Sequence, residues 1–108
     1  MTSEQYYILA EEIRADNQVP PYTNDEVIIN SIMKCERRLD MLKPGADFVD
    51  DPLSRGLLKD FVYYDMVHRF EEFLVNYGPD IRSWQLSEEV TDASEEDGYS
   101  SGVYGRLL

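Results

Sequence analysis

An all-α fold follows from three features of the sequence. Apolar residues recur at spacings of three and four, no segment alternates with period two, and prolines and glycines fall largely between the periodic segments. The expected architecture is a small helical bundle of three main helices plus a short C-terminal helix over residues 1–87, followed by a flexible acidic tail over residues 88–108. A chain of 108 residues is the size of one ordinary domain and leaves no room for separate cofactor and substrate domains.

The first helix opens at Thr2, which forms a capping box with Gln5, and Tyr6, Leu9, Ala10 and Ile13 mark a single buried face. It stops near Asp16 or Asn17. Pro20 and Pro21 then exclude helix and favour an extended link. Thr23 with Glu26 reads as a second capping box, opening DEVIINSIMKCERRLDML, in which Ile28, Ile32, Cys35, Leu39 and Leu42 form the buried seam. That seam covers about two heptads, fewer than a free coiled coil requires. Lys43-Pro44-Gly45 ends the helix.

Asp51 is a good N-cap and Pro52 suits the first helical position, so a third helix starts there and is expected to run unbroken to Tyr77, with Gly78 closing it. Leu57, Phe61, Tyr64 and His68 share one stripe, and Tyr63, Val67, Phe70, Leu74 and Tyr77 make another. Two stripes form an apolar arc wider than one packing contact needs. Either this helix is central in the bundle or one arc faces another protein. Pro79 starts the short fourth helix, PDIRSWQLSEE, with Ile81, Trp84 and Leu86 near one face.

Charge excludes some functions. With 22 acidic against 10 basic side chains the net charge is −12, which disfavours binding to free duplex DNA, where affinity comes from clustered Lys and Arg. No run of ~18 apolar residues spans a membrane, and the first residues carry acid where a signal peptide carries positive charge, so a cytoplasmic protein is expected. The tail holds six acids and Arg106, yet it also carries Tyr99, Val103, Tyr104, Leu107 and Leu108, apolar side chains of a kind that order on a partner. A merely solubilising terminus is the competing reading.

Chemistry is sparse. No glycine-rich phosphate loop precedes a helix, so neither a nucleotide nor any other cofactor is expected. Cys35, the only cysteine, lies inside the buried seam of the second helix and reads as a packed small hydrophobe. The single histidine, His68, has Asp65, Glu71 and Glu72 within one turn, and a metal-dependent hydrolase centred on Asp65, His68 and Glu72 can be drawn. It lacks a second helix with matching ligands. Adjacent carboxylate pairs such as Glu71-Glu72 diverge around a helix and do not converge on a substrate. An enzyme is not expected.

The stretch LLKDFVYYDMVHRFEEFLVNY, a Gly-Pro break and DIRSWQLS resemble the C-terminal half of the small head-tail connector proteins of tailed bacteriophages and prophages, also called adaptor or head-completion proteins. TNDEVIINSIMKCERRL and DFVDDPLSRGLLKDF match the elements that the family places in front of it. The resemblance covers roughly residues 3–87 and rests on spacing and residue type. It implies a structural virion-assembly protein at the head-tail interface, assembled in the host bacterial cytoplasm, that forms a homo-oligomeric, dodecameric ring under the portal protein. Such a ring receives the stopper or tail-completion protein and lets duplex DNA pass without specific binding. On this reading Tyr63, Tyr64, Phe70, Phe73, Tyr77 and Trp84 are candidate subunit or partner contacts, and Tyr99, Val103, Tyr104, Leu107 and Leu108 form a portal-binding segment. A DNA mimic is the alternative for an acidic helical chain. It would array carboxylates at phosphate-like spacing, whereas here Arg37, Arg38, Lys59 and Arg69 interrupt the acids.

Overall fold

The computed structural model describes residues 1–87, which form five helices: α1 (Ser3–Asp16), α2 (Asp25–Leu42), α3 (Pro52–Met66), α4 (Phe70–Asn76) and α5 (Gly78–Leu86). The expected tail, with its five apolar candidates, lies outside the described residues. Among those described there is no strand, and no helix is long and apolar enough to cross a membrane.

α1 carries the full capping box: the Gln5 amide donates to the Thr2 hydroxyl, and the Thr2 amide donates to the Gln5 side chain. Its C-terminus closes without glycine. Gln18 takes φ 52° and Val19 N–H donates to the Arg14 carbonyl, a Schellman closure that satisfies carbonyls the helix leaves open. Arg14 then ties down the di-proline link, donating to the carbonyls of Pro20 and Thr23 and bridging Asp25 at 2.6 Å. The cap of α2 is Asn24, one residue later than expected. Its side-chain oxygen accepts from the Glu26 amide, while the Thr23 carbonyl is held by Arg14.

α2 packs against α1 on one side and α3 on the other. Its seam is buried as expected at Ile28, Ile32, Cys35 and Leu39, facing Leu9, Ala10 and Ile13 of α1 and Leu57, Leu58, Phe61 and Val62 of α3. Across the other side, Glu12 of α1 takes a two-point hydrogen bond from Arg55 of α3, and Lys59 bridges both Glu12 and Asp16. Asp51 caps α3 as expected, accepting from both the amide and the hydroxyl of Ser54.

The expected long third helix does not exist. It stops at Met66, His68 takes φ 64°, and Arg69 N–H donates to the Tyr64 carbonyl while His68 N–H donates to Asp65, a second Schellman closure. The packing shows why. On a straight helix Phe61 and Phe73 would lie about 18 Å apart. Here their ring centroids are 4.3 Å apart because α4 folds back along α3. Phe70, Phe61, Phe73 and Tyr77 form one continuous stack, with Tyr64 set edge-on to Phe73 and Tyr77. The wide apolar arc expected on a single rod is instead split by the turn: Phe61 and Tyr64 of α3 meet Phe70, Phe73 and Tyr77 across an aromatic hairpin, while Tyr63 and Val67 stay exposed.

α5 returns to the start of α3. Trp84 is fully buried beside Phe48 of the α2–α3 loop, and its indole N–H donates to Ser54. Lys43, just past α2, donates to the carbonyls of Trp84 and Ser87, so a cation sits at the negative end of α5. Leu86, expected on the buried face with Ile81 and Trp84, projects outward.

Candidate interaction surface

The structure divides the candidate contact residues. Phe73 and Trp84 are completely buried within one subunit, so the expectation that they meet a partner is corrected: Phe73 lies between Phe61 and Tyr77, and Trp84 is fastened to Ser54. Tyr64, Phe70 and Tyr77 belong to the same aromatic stack and show only their edges. Phe70 is further covered by Lys34, whose ammonium lies 4.2 Å from the ring centroid. Tyr63 alone of the six is broadly exposed, at 44%.

The residues drawn as a metal face do not converge. Asp65 accepts from Ser31 and bridges Lys34 at 2.8 Å, Glu72 is held by Arg69, and His68 sits in the turn between α3 and α4 rather than on a shared helical face. Among the described residues no group of three or more His, Cys, Asp or Glu side chains could hold a metal ion. Cys35 is sealed in the core, where burial first of all and then the nearby Asp65 push its thiol up to about 12, a packing residue without a reactive thiolate.

Apolar surface is left open elsewhere. Tyr7, Val27, Met33, Tyr63 and Val67 are all at least 40% exposed, and they flank two grooves that share Asn30 on the outer ridge of α2. The larger, of about 630 Å³, runs between the α1–α2 link and the α3–α4 turn, with Val19, Pro20, Val27, Met66 and Val67 on its walls. Its two opposing rims are Gln18 and His68, the only non-glycine residues with positive φ among those described. The smaller, of about 300 Å³, lies between Tyr6 and Tyr7 of α1 and Ile29 and Met33 of α2. Tyr6 is anchored there: its hydroxyl donates to Glu36, and desolvation, then that hydrogen bond, raise its pKa to about 12.

A third groove, between α3 and α5, carries Asp60, Tyr77 and Asp80. Asp60 is exposed at the rim, but the groove walls strip part of its hydration and push its carboxyl up, the Tyr77 hydroxyl drawing it part of the way back.

Sequence reasoning missed the large groove. Its walls come from a link read only as a spacer and from a turn read as mid-helix, and neither closure uses the glycine that would have marked it. No protein-family model, curated protein or solved structure matches this chain.

Proposed function

We propose that this chain is a structural assembly protein without catalytic activity, and specifically a phage-type head-tail connector that forms a ring beneath a portal and receives the stopper or tail-completion protein. The observation that carries the reading is the apolar surface on α1, α2 and α3, where Tyr7, Met33 and the outer face of Tyr63 are exposed. The buried polar groups among the described residues are committed to fastening helices: Trp84 to Ser54 to Asp51, and Ser31 to Asp65. Exposed Tyr and Met flanking shallow grooves are what contact surfaces use, since they supply large area at low entropy cost. The contact surface in this reading therefore centres on α1, α2 and Tyr63, and the aromatic hairpin behind it serves as the rigid backing.

The charge fits a conduit. A subunit with a net charge of −12 repels phosphate and lets duplex DNA slide past, whereas a basic one would retain it. Equal charges on neighbouring copies also repel, which places the attraction between copies on apolar contact.

Co-expression with the portal protein of the same gene cluster is the test. The expected product is a ring that co-sediments with portal. Met33→Asp and Tyr63→Asp abolish co-sedimentation, while each shifts the thermal transition by no more than surface changes do, about 0.5 kcal/mol. A wild-type chain that melts normally and stays free of portal overturns the reading.

A further inference from the structure

We infer that residues 99–108 of this chain dock, within the same subunit, into the groove between the α1–α2 link and the α3–α4 turn. The inference concerns the free subunit, and it stands or falls independently of the portal reading.

The first support is apolar complementarity. The groove offers about 630 Å³ lined by Val19, Pro20, Val27, Met66 and Val67, inside the range of sites that enclose a few side chains. The segment SGVYGRLL and Tyr99 before it supply apolar side chains separated by small residues, as a groove ligand should.

The second is reach. α5 ends beside Lys43, which holds the carbonyls of Trp84 and Ser87. From Lys43 back along α2 to Asn30, in the groove wall, is 13 residues of helix, about 20 Å. The 12 steps of chain from Ser87 to Tyr99 reach at most about 40 Å, so a span of about 20 Å lies well within them. A tether that spans its site gives an effective concentration on the order of millimolar, so even a millimolar intrinsic affinity keeps the groove about half filled.

The third is charge. Residues 88–97 carry Glu88, Glu89, Asp92, Glu95, Glu96 and Asp97 and no base. The direct path runs along α2, where Arg37 is exposed one turn from Lys34, itself held by Asp65. Among the described residues no carboxylate lies within ion-pair distance of Arg37, which leaves it available to the acidic linker. Docking in this way covers Val67 and one edge of Tyr63, so a partner using that part of the surface must first displace the segment.

Paramagnetic relaxation in the full-length chain reads this directly. Cys35 is fully buried, so Ser101→Cys gives a single accessible thiol for a nitroxide label. The expected result is selective broadening of the Gln18, Val27 and Val67 amides at high dilution, with Leu53, some 20 Å away along α3, unaffected. Val67→Asp weakens the docking about tenfold, the worth of one buried valine, and Arg37→Glu also lowers the broadening. Uniform weak broadening over the whole surface overturns the inference. Broadening seen only when labelled chains are mixed with isotopically labelled, spin-free ones also overturns it, because the segment then docks between copies.

Discussion

Ser54 is a small residue with a large structural role. Its hydroxyl receives the Trp84 indole N–H at 2.8 Å and donates to Asp51 at 2.6 Å, and Ser54 and Trp84 are wholly inaccessible to water. The same carboxylate caps α3, so a single chain of hydrogen bonds joins α5 to the start of α3. Ser54→Ala leaves a buried indole donor without an acceptor, and the expected cost is about 1–3 kcal/mol. For a domain of this size that lowers the midpoint of a thermal melt by several degrees. Trp84 fluorescence and circular dichroism should report the same transition, since the indole moves only when α5 leaves. A melt unchanged by Ser54→Ala would mean that the hydroxyl is not what holds α5. Asp51 was legible as a helix cap, because an acid followed by proline names that position by local chemistry alone. The link to Trp84 was not, because the two residues lie 30 apart in sequence and meet only through the fold.

At the scale of the element, the turn at Val67–Arg69 decides the topology. His68 occupies a left-handed conformation that costs an L-residue roughly 1–2 kcal/mol, and glycine adopts it freely at the expense of a larger unfolded-state entropy. His68→Gly should therefore raise stability by up to about 1 kcal/mol in chemical denaturation, while His68→Val, with a branched side chain in the same conformation, should lower it. Equal stabilities for all three chains would show that the turn is not held at positive φ. The strain is repaid by the hairpin it creates. Burying an aromatic side chain is worth roughly 1.5–3 kcal/mol, and Phe61 and Phe73 are both sealed by that fold-back. Helix periodicity could not reveal this. Residues 57–77 satisfy a helical pattern throughout, and local propensity gave no reason for the chain to reverse at Val-His-Arg. The broad apolar arc was a true signal with two causes: Phe61 and Tyr64 face Phe70, Phe73 and Tyr77 across the hairpin, and Tyr63 and Val67 remain open.

For the molecule as a whole, pH should act through two carboxylates with opposite signs. The Arg55 hydrogen bond above all, with Lys59 beside it, holds the Glu12 carboxyl below its ordinary value of 4.5. A depressed folded pKa stabilises the fold above the unfolded value, and that contribution is lost as pH falls from about 4.5 through the folded pKa. Asp60 runs the other way. Its folded pKa is raised from 3.8, so the fold loses stability as pH climbs from there through the raised value, and the ionised group remains a cost at neutrality. Thermal melts between pH 3 and 7 should show Glu12→Gln flattening the acid limb, and Asp60→Asn stabilising the protein at neutral pH with its advantage vanishing toward pH 3. An Asp60→Asn chain that melts lower than wild type at neutral pH would overturn that assignment. These groups tie α1 to α3 and α3 to the α5 groove, so the profile reports on the whole fold rather than on one helix.

The amino-acid sequence by itself determined the helical class, the starts of α1 and α3, the buried seams of α1 and α2 and the packed role of Cys35, because each depends on residues within a turn or two of one another. Tertiary structure alone decided that the aromatic stretch is a hairpin, that Phe73 and Trp84 are core, and that exposed Tyr7, Met33, Tyr63 and Val67 come to flank grooves. Those outcomes turn on which helix a side chain meets after the chain reverses. The energy of stacked rings brought together from distant positions outweighs the local preference to continue a helix, and no nearby residue records that balance.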